Sequence, residues 1–292
     1  MAAPSHAPGA GFMKRKALIA SLLLMLSGAA DGEARPHRIV SLNLCADQYL
    51  MELADRDQVA ALSHNARNPA LSFSAEKAKD WPVSDGNAEE LTVLKPDLVI
   101  ASRIRRPEIR IFLETQNIPV LEIEPAHTLE DIRAQTRAIA GAIGAQARGE
   151  ELITDIERRL EAAREAAPEV RPAAAHYQRR GFISGQATLM SEIMRWAGLE
   201  NIAGRMGARR TQRVSMEVLL AAQPDILVTG VPTSNERDIG KEVLDHPALK
   251  TLYARARWIE IPEAMTVCGG PSFPAAVEEM QRQFKALEEV PH

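Results

Sequence analysis

Two cysteines are the residues of this 292-residue chain whose type and position could do the most distinctive chemistry. Cys45 follows a short aliphatic stretch near the start, and Cys268 lies in the segment TVCGGP before the last helical stretch. In an oxidising compartment two cysteines form a disulfide by default. Free thiols that pack as small hydrophobes are equally open. A thiolate metal site with His64 is a third, less favoured alternative, in which two thiolates and an imidazole could hold a soft metal.

A nucleophilic role for Cys45 is a further alternative. With His64 or His127 as general base, the chain would be a secreted cysteine-dependent hydrolase on a two-lobed α/β scaffold. Nothing in the spacing of these residues demands their contact, and the sequence has neither a phosphate-binding P-loop nor a G-x-S-x-G elbow. It also lacks C-x-x-C and H-x-x-x-H spacings. We therefore favour a protein that catalyses nothing and carries no cofactor.

A thirteen-residue unit that occurs twice indicates which elements must position these residues. Residues 89–101 read EELTVLKPDLVIA, and residues 217–229 read EVLLAAQPDILVT. In each copy a glutamate opens a short helix, and a proline ends it because the residue before proline is excluded from the α region. A buried aliphatic strand then follows. Two such units, almost half a chain apart, predict two similar α/β lobes.

Aliphatic strands alternate with helical stretches in both halves, which predicts a parallel sheet in each lobe. In the first half we predict strands at 38–42, 59–62, 98–101 and 119–123, and helices at 45–54, 89–94 and 107–116. In the second half we predict strands at 174–178, 226–229 and 258–261, and helices at 189–197, 217–222 and 275–287.

A long helical segment without strand signals lies between the halves. Thr128 and Asp131 can cap its start, and apolar residues recur at three- and four-residue intervals. We expect a surface helix and then a linking helix of about 20 residues, which would span about 30 Å. The predicted boundaries are 35–145 for the N-terminal lobe, 146–168 for the linking helix and 169–292 for the C-terminal lobe.

Residues 1–34 have the pattern of a secretory signal peptide, in which Lys14, Arg15 and Lys16 precede an apolar run and then small residues. The run at 17–26 is too short to span a bilayer, which takes about 20 apolar residues. The net charge of −4 and the lack of a basic cluster argue against nucleic acid as a partner. A hydrophobic content of 46% is enough for buried cores, so we expect an exported globular protein.

The signal peptide, the helix-linked lobes, the paired E-x-L-x-x-x-x-P-D units and the phrase AGLENI at 197–202 resemble one family. It comprises the periplasmic substrate-binding proteins of iron–siderophore and cobalamin ABC importers, the class III proteins with a helical backbone. The resemblance covers nearly the whole mature chain. It implies two Rossmann-like lobes with parallel sheets, joined by one long α-helix, with the ligand cleft between the lobes. It also implies a periplasmic monomer that delivers a metal chelate, which could be a ferric siderophore, cobalamin or a haem-like tetrapyrrole, to an importer.

The resemblance also implies two docking residues. Members of the family contact the permease dimer in the inner membrane through one glutamate on each lobe, and Glu89 and Glu217 occupy those motif positions. A carboxylate in the first turn of a helix is stabilised by the helix dipole, so we expect both side chains to be exposed and ionised. The alternative is that both glutamates merely stabilise the starts of their helices.

Ligand contacts are expected from loops at the C-terminal ends of the parallel strands, where an open sheet leaves its crevice. The expected ligand-binding residues are Asn43, Leu44, Cys45, His64, Ser102, Arg103, Tyr177, Phe182, Ser184, Gly230, Met265 and Cys268. Arg103 could bind a carboxylate or catecholate oxygen of an anionic siderophore bidentately. Equally, the group formed by Arg103, Arg105 and Arg106 could be a solvated surface cluster.

Aromatic residues bear on the choice of chelate. Cobalamin-binding members of the family usually line the cleft with several rings, one of them directly after the repeated strand, where this chain has Ser102. Only 4% of this chain is aromatic. Trp196 lies in a helical pattern and Trp258 on a strand, which predicts that both are core residues. The sequence therefore favours an anionic ferric chelate over a corrinoid.

Overall fold

The computed structural model describes residues 1, 2, 35–104, 106–231, 246, 247, 249 and 258–289. The predicted signal peptide at 1–34 lies outside the described residues, apart from its first two. Within the described ranges no helix is both long enough and apolar enough to cross a bilayer.

The first half folds into a five-stranded sheet, called here the first sheet. Its strands are β1 (Ile39–Ser41), β2 (Val59–Ser63), β3 (Val83–Ser84), β4 (Leu98–Ala101) and β5 (Val120–Glu122), and its helices are α1 (Leu44–Leu53), α2 (Ala88–Leu94) and α3 (Pro107–Thr115). The strand order is β3-β2-β1-β4-β5, and every neighbouring pair is parallel. The chain moves outward from β1 to β3 and then returns to the other side of β1, so the direction of winding reverses between β1 and β4.

Both faces of the first sheet are covered, which explains why its strands are aliphatic runs rather than alternating patterns. Leu98 and Ile100 of β4 pack into the core that α1 covers, with α4 (Leu129–Ala142) alongside. Val99 and Ala101 point to the opposite core, which Leu91 of α2 shares with α3. This alternation of successive side chains between two faces is the geometry of a β-strand.

The second half forms a four-stranded sheet, called here the second sheet, after the helix α5 (Gln146–Glu165). Its elements are β6 (Ala173–His176), β7 (Phe182–Ile183), α6 (Leu189–Trp196), β8 (Glu200–Asn201), β9 (Gln212–Arg213), α7 (Met216–Ala222), β10 (Ile226–Gly230), β11 (Trp258–Ile261), α8 (Glu263–Thr266) and α9 (Phe273–Glu288). The order of the second sheet is β11-β10-β6-β8, all parallel, and its winding reverses between β6 and β10. The strands β7 and β9 form a separate antiparallel pair. The predicted α/β class with two parallel sheets is confirmed.

The helices α4 and α5 connect the two sheets. The predicted cap of α4 is present, because the Thr128 hydroxyl accepts the Asp131 N–H at 3.1 Å and the Asp131 carboxylate accepts the Thr128 N–H at 3.0 Å. Ile132 of α4 packs into the core of the second sheet, and Ile139, two turns later, packs into the core of the first. The helix α5 has 20 residues, the length expected of the linking helix. The exact limits of the lobes stay a prediction.

The repeated unit has the same structure in both copies. The helices α2 and α7 each have seven residues, and the side chains of Asn87 and Ser215 cap their N-termini. Each helix ends at a residue in the left-handed conformation, Lys95 with φ 47° and Gln223 with φ 48°. Both residues precede a proline, which excludes the right-handed α conformation and so ends the helix. The next strands, β4 and β10, lie beside β1 and β6, the first strands of their sheets.

Candidate functional site

A cavity of about 1730 Å³ lies where strands from both sheets end. Its walls include Asn43 after β1 and Ser102 after β4, which are the two strands that flank the reversal of the first sheet. They also include Gln178 after β6 and Gly230 at the end of β10, the corresponding strands of the second sheet. Open parallel sheets bind ligands at this reversal of winding, outside the carboxyl ends of the strands. Here the crevices of both sheets contribute to one cavity.

The structure brings many of the expected ligand residues to this cavity. Those that line it are Asn43, Cys45, Ser102, Phe182, Ser184 and Gly230. Those outside its lining are Leu44, His64, Arg103, Tyr177, Met265 and Cys268. At 43–45 and at 102–103 lining and non-lining residues alternate, because a residue next to a lining residue often points the other way.

Local packing explains why some expected residues lie elsewhere. Tyr177 is buried, and its hydroxyl donates to the Val214 carbonyl at 3.3 Å, so its ring faces a core. His64 follows β2, one strand farther from the reversal, and its Nδ1 lies 3.4 Å from an Asp85 carboxylate oxygen at the surface. Met265 packs against the core of the second sheet.

The cysteines form a disulfide between Cys45 and Cys268. The alternatives of two free thiols and of a thiolate metal site with His64 are therefore wrong. Across the described part of the chain, no group of three or more histidine, cysteine, aspartate and glutamate side chains is placed to hold a metal ion. The hydrolase alternative also loses its nucleophile, because a sulfur in a disulfide is not a thiolate.

Two arginines that the sequence analysis did not select, Arg179 and Arg180, line the cavity. They lie in a tight turn between β6 and β7, in which the Gln178 N–H donates to the Phe182 carbonyl at 2.7 Å. Arg180 has φ 59°, a left-handed conformation that is uncommon for a residue with a side chain. The rule that selected Tyr177 and Phe182, which flank this turn, applies equally to the residues between them. Arg103, selected instead, is exposed and outside the lining, and Arg105 is not among the described residues.

His176 at the end of β6 also lines the cavity and is not among the expected ligand-binding residues. Its Nδ1 lies 2.8 Å from the Ser184 hydroxyl, which also accepts from the Gln178 side-chain amide at 2.8 Å. Burial lowers the pKa of His176 to about 4, because a buried site disfavours the charged ring. The imidazole is therefore neutral at neutral pH and is a weak base. This histidine–serine pair consequently gives little support to nucleophilic catalysis, which needs a base matched to the working pH.

The rest of the lining mixes aliphatic side chains with polar ones and has a few rings. Phe182 and Trp258 are the aromatic residues among the described part of the wall. Trp258, expected in the core, packs against a core but is only partly buried and also lines the cavity. Carboxylates come from Glu124, Glu260 and Glu263, which lie on or after the terminal parts of β5 and β11. The cavity thus presents cations, carboxylates and hydroxyls around a large volume.

Comparison with known proteins gives one family. A family model described as periplasmic binding protein matches residues 39–256. The cobalamin-binding protein of Halobacterium salinarum is 27% identical over 203 residues, covering 68% of this chain and 55% of that protein. The chain therefore spans little more than half the length of that relative. The vitamin B12-binding protein of Pectobacterium atrosepticum is 30% identical over 207 residues, covering 68% of this chain and 72% of that protein.

Solved structures share the fold. The periplasmic haem-binding protein RhuT from Roseiflexus, in its apo form, superposes with a TM-score of 0.68 at 24% identity and covers 87% of this chain and 100% of that one. The periplasmic haem-binding protein HutB of Vibrio cholerae gives a TM-score of 0.69 at 19% identity, covering 85% of this chain and 98% of that one. At these identities the likeness concerns the architecture of two sheets with connecting helices.

Proposed function

This chain belongs to the periplasmic binding protein family, and from that premise we propose that it captures a metal chelate and delivers it to an ABC importer. It does so in the periplasm, as a monomer, after export on its N-terminal signal peptide, and it catalyses no reaction. The observation that carries the proposal is the cavity, whose walls come from the carboxyl ends of strands in both sheets. Two similar relatives are named for cobalamin or vitamin B12, and two similar structures for haem, all of them metal chelates.

The size of the cavity supports a large ligand. Sites for drug-sized molecules are about 300–1,000 Å³, and this cavity has about 1730 Å³. A bare metal ion would need converging ligands, and no such cluster occurs in the described part of the chain. A chelate already contains the ligands of its metal. The protein needs only to contact the outer surface of the chelate, which a wall of mixed polar and apolar side chains can do.

The wall also suggests how a chelate is held. Arg179 and Arg180 offer guanidinium groups to carboxylate or catecholate oxygens at the chelate edge, a pairing that arginine makes bidentately. Phe182 and Trp258 can lie against a flat ring system or an aromatic catecholate. A ferric siderophore, a haem and a corrinoid each have some of these features, so the proposal names the class of metal chelates.

We further propose that Glu89 and Glu217 dock the loaded protein on the permease dimer. Both side chains are exposed in the first turns of α2 and α7, the paired helices of the repeat. Hydrogen bonding to Ser215 lowers the pKa of Glu217, so this carboxylate is ionised at neutral pH. Two exposed carboxylates on equivalent helices fit a two-point contact with basic residues of a partner dimer.

The cavity position of Trp258 provides the test of chelate binding. Haemin, cyanocobalamin and ferric siderophores absorb where tryptophan emits, so a chelate in the cavity should quench the emission of Trp258 saturably. Trp81, buried in the first half, and Trp196, under Arg195, lie outside the lining and provide an internal background. The matched control is Trp258→Phe, which should keep binding by calorimetry and show weaker quenching than the parent protein. Absence of saturable quenching by every chelate would contradict the proposal.

A further inference from the structure

We propose that the Cys45–Cys268 disulfide is a second covalent connection between the two halves of the protein, in addition to the polypeptide chain. This connection restricts the relative motion of the halves and pre-organises the cavity. The part of this inference that concerns ligand affinity rests on the proposed function, whereas the restriction of motion does not. It follows from where the two cysteines lie, what packs around them, and how else the halves are joined.

The disulfide joins elements of different sheets. Cys45 is the second residue of α1, a helix that packs into the core of the first sheet. Cys268 lies between α8 and α9, and Phe273 at the start of α9 packs into the core of the second sheet. The two residues are separated by 223 positions in the sequence. Cys45 lines the cavity and Cys268 is buried, so the covalent bond lies at the cavity wall.

The two halves are also closely packed around the disulfide. One turn after Cys45, the buried Tyr49 hydroxyl donates to the Gly269 carbonyl at 3.3 Å. A Cβ on Gly270 would lie 3.1 Å from the Tyr49 ring, and one on Gly269 would lie 2.7 Å from the Ala126 carbonyl oxygen. The two glycines after Cys268 therefore let this loop approach α1 and the segment before α4 more closely than residues with side chains could.

The other connection between the halves is the polypeptide chain itself, through α4 and α5. Two bodies joined at one place only can swing and twist relative to each other in several directions. A second fixed point leaves mainly rotation about the line that joins the two points. A cavity that shares its walls between both halves is then already close to its binding geometry before a ligand arrives. If only a fraction of molecules has that geometry, the apparent Kd rises in inverse proportion to the fraction.

The test uses probes that do not depend on the cysteines. Ketone-bearing amino acids replace the exposed residues Val93 of α2 and Val218 of α7 and carry spin labels, and the distance distribution is measured without ligand. The oxidised protein should give one narrow distribution, and Cys45→Ser/Cys268→Ser should broaden it about twofold. Dithiothreitol provides a second route, since its two thiols transfer two electrons to the disulfide, leaving two cysteine thiols and a cyclic oxidised reagent.

Affinity is measured on the same proteins with haemin, cyanocobalamin and a panel of ferric siderophores. We expect Kd to rise about tenfold on loss of the bond, as a competent fraction of about one tenth would give. The matched control is Tyr49→Phe, which removes the neighbouring hydroxyl bond but keeps the disulfide and should keep the narrow distribution. Far-UV circular dichroism identifies variants that fail to fold. If the double cysteine variant fails to fold, the distance distribution and Kd of the reduced parent protein replace its values.

The outcomes separate the two proposals. An unchanged distance distribution in the folded, reduced protein would overturn the restriction of motion. A broader distance distribution with an unchanged Kd would overturn the inference that the disulfide pre-organises the cavity. If the oxidised protein binds none of these chelates, the result counts against the proposed function, and the distances alone decide whether the disulfide restricts motion.

Discussion

Asp97 and Asp225, the aspartates of the two P-D pairs, hold equivalent places in the two sheets. The Asp97 carboxylate accepts the N–H of His37 at 2.7 Å and that of Arg38 at 2.9 Å, just before β1. The Asp225 carboxylate accepts the N–H of Ala173 at 2.8 Å, at the start of β6. Each aspartate thus ties the beginning of its own strand to the neighbouring strand. This explains why the repeat keeps aspartate after proline as well as the helix and the strand.

Replacing these aspartates should weaken the sheets. We expect Asp97→Ala to lower the free energy of unfolding by about 0.5–1.5 kcal/mol for each hydrogen bond lost. Asp97→Asn keeps an acceptor oxygen and is the matched control, with a smaller loss. Urea denaturation gives the values, and Asp225→Ala should behave similarly. Equal midpoints for Asp97→Ala and the parent protein would show that the aspartate does not stabilise β1.

The disulfide should contribute strongly to stability as well as to geometry. Loss of a native disulfide typically costs about 2–5 kcal/mol, and a bond that closes a long loop lies toward the upper end in the chain-entropy model. We therefore expect Cys45→Ser/Cys268→Ser to melt well below the oxidised parent in differential scanning calorimetry. A reducing agent should lower the Tm of the parent and leave that of the double variant unchanged. A parent Tm that does not respond to reduction would contradict this expectation.

Two buried groups should give opposite dependences of stability on pH. Burial raises the pKa of Asp47 to about 7, so the folded state holds its proton more tightly than the unfolded state, and stability falls as pH rises from about 4 to 7. Burial lowers the pKa of His176 to about 4, so the unfolded state takes up a proton first, and stability falls as pH drops from about 6.5 to 4. The two effects oppose each other over nearly the same interval.

Single neutral variants separate these effects. Relative to the parent protein, Asp47→Asn should make the free energy of unfolding rise more steeply with pH between about 4 and 7. His176→Gln should shift the slope the other way over about 4 to 6.5. Chemical denaturation at several pH values measures both. Parallel stability profiles for the parent and both variants would mean that neither residue titrates differently on unfolding.

Charge reversal at the proposed docking residues should separate transport from binding. We expect Glu89→Lys or Glu217→Lys to reduce chelate uptake by at least about tenfold, because each would place like charges at the contact with basic permease residues. The Kd for the chelate should stay the same. Glu114→Lys, at an exposed position on α3, is the matched control and should transport normally. Normal uptake by both docking variants would remove the assignment.

Periodicity predicted the longer elements well. The predicted strands at 98–101 and 258–261 coincide with β4 and β11. The strand β4 is a continuous buried aliphatic run, whereas β11, at the edge of its sheet, alternates between buried and more exposed residues. The two-residue strands β3, β7, β8 and β9 were missed, since so few residues give no periodic signal. The rule that ligands bind at strand ends located the cavity but not the direction of each side chain. Tyr177 therefore faces a core while its neighbour Gln178 lines the cavity.

The state of the cysteines could not be predicted for a different reason. Pairing of Cys45 with Cys268 depends on how two halves of the chain pack, and no local pattern encodes a contact across 223 positions. The same holds for the fit of Gly269 and Gly270 against Tyr49 and Ala126. Sequence reasoning could place each cysteine near the end of a strand or helix, whereas only the packed structure brings them together.

The most direct test of chelate capture is native mass spectrometry of the exported, oxidised protein after incubation with haemin, cyanocobalamin and a panel of ferric siderophores. We predict a complex of one chain with one chelate, at a chelate concentration of about 1 μM, for at least one member of the panel. The same complex should weaken when Arg179 and Arg180 are replaced by glutamine, if the bound chelate is anionic. Only unliganded protein in every mixture would contradict the account.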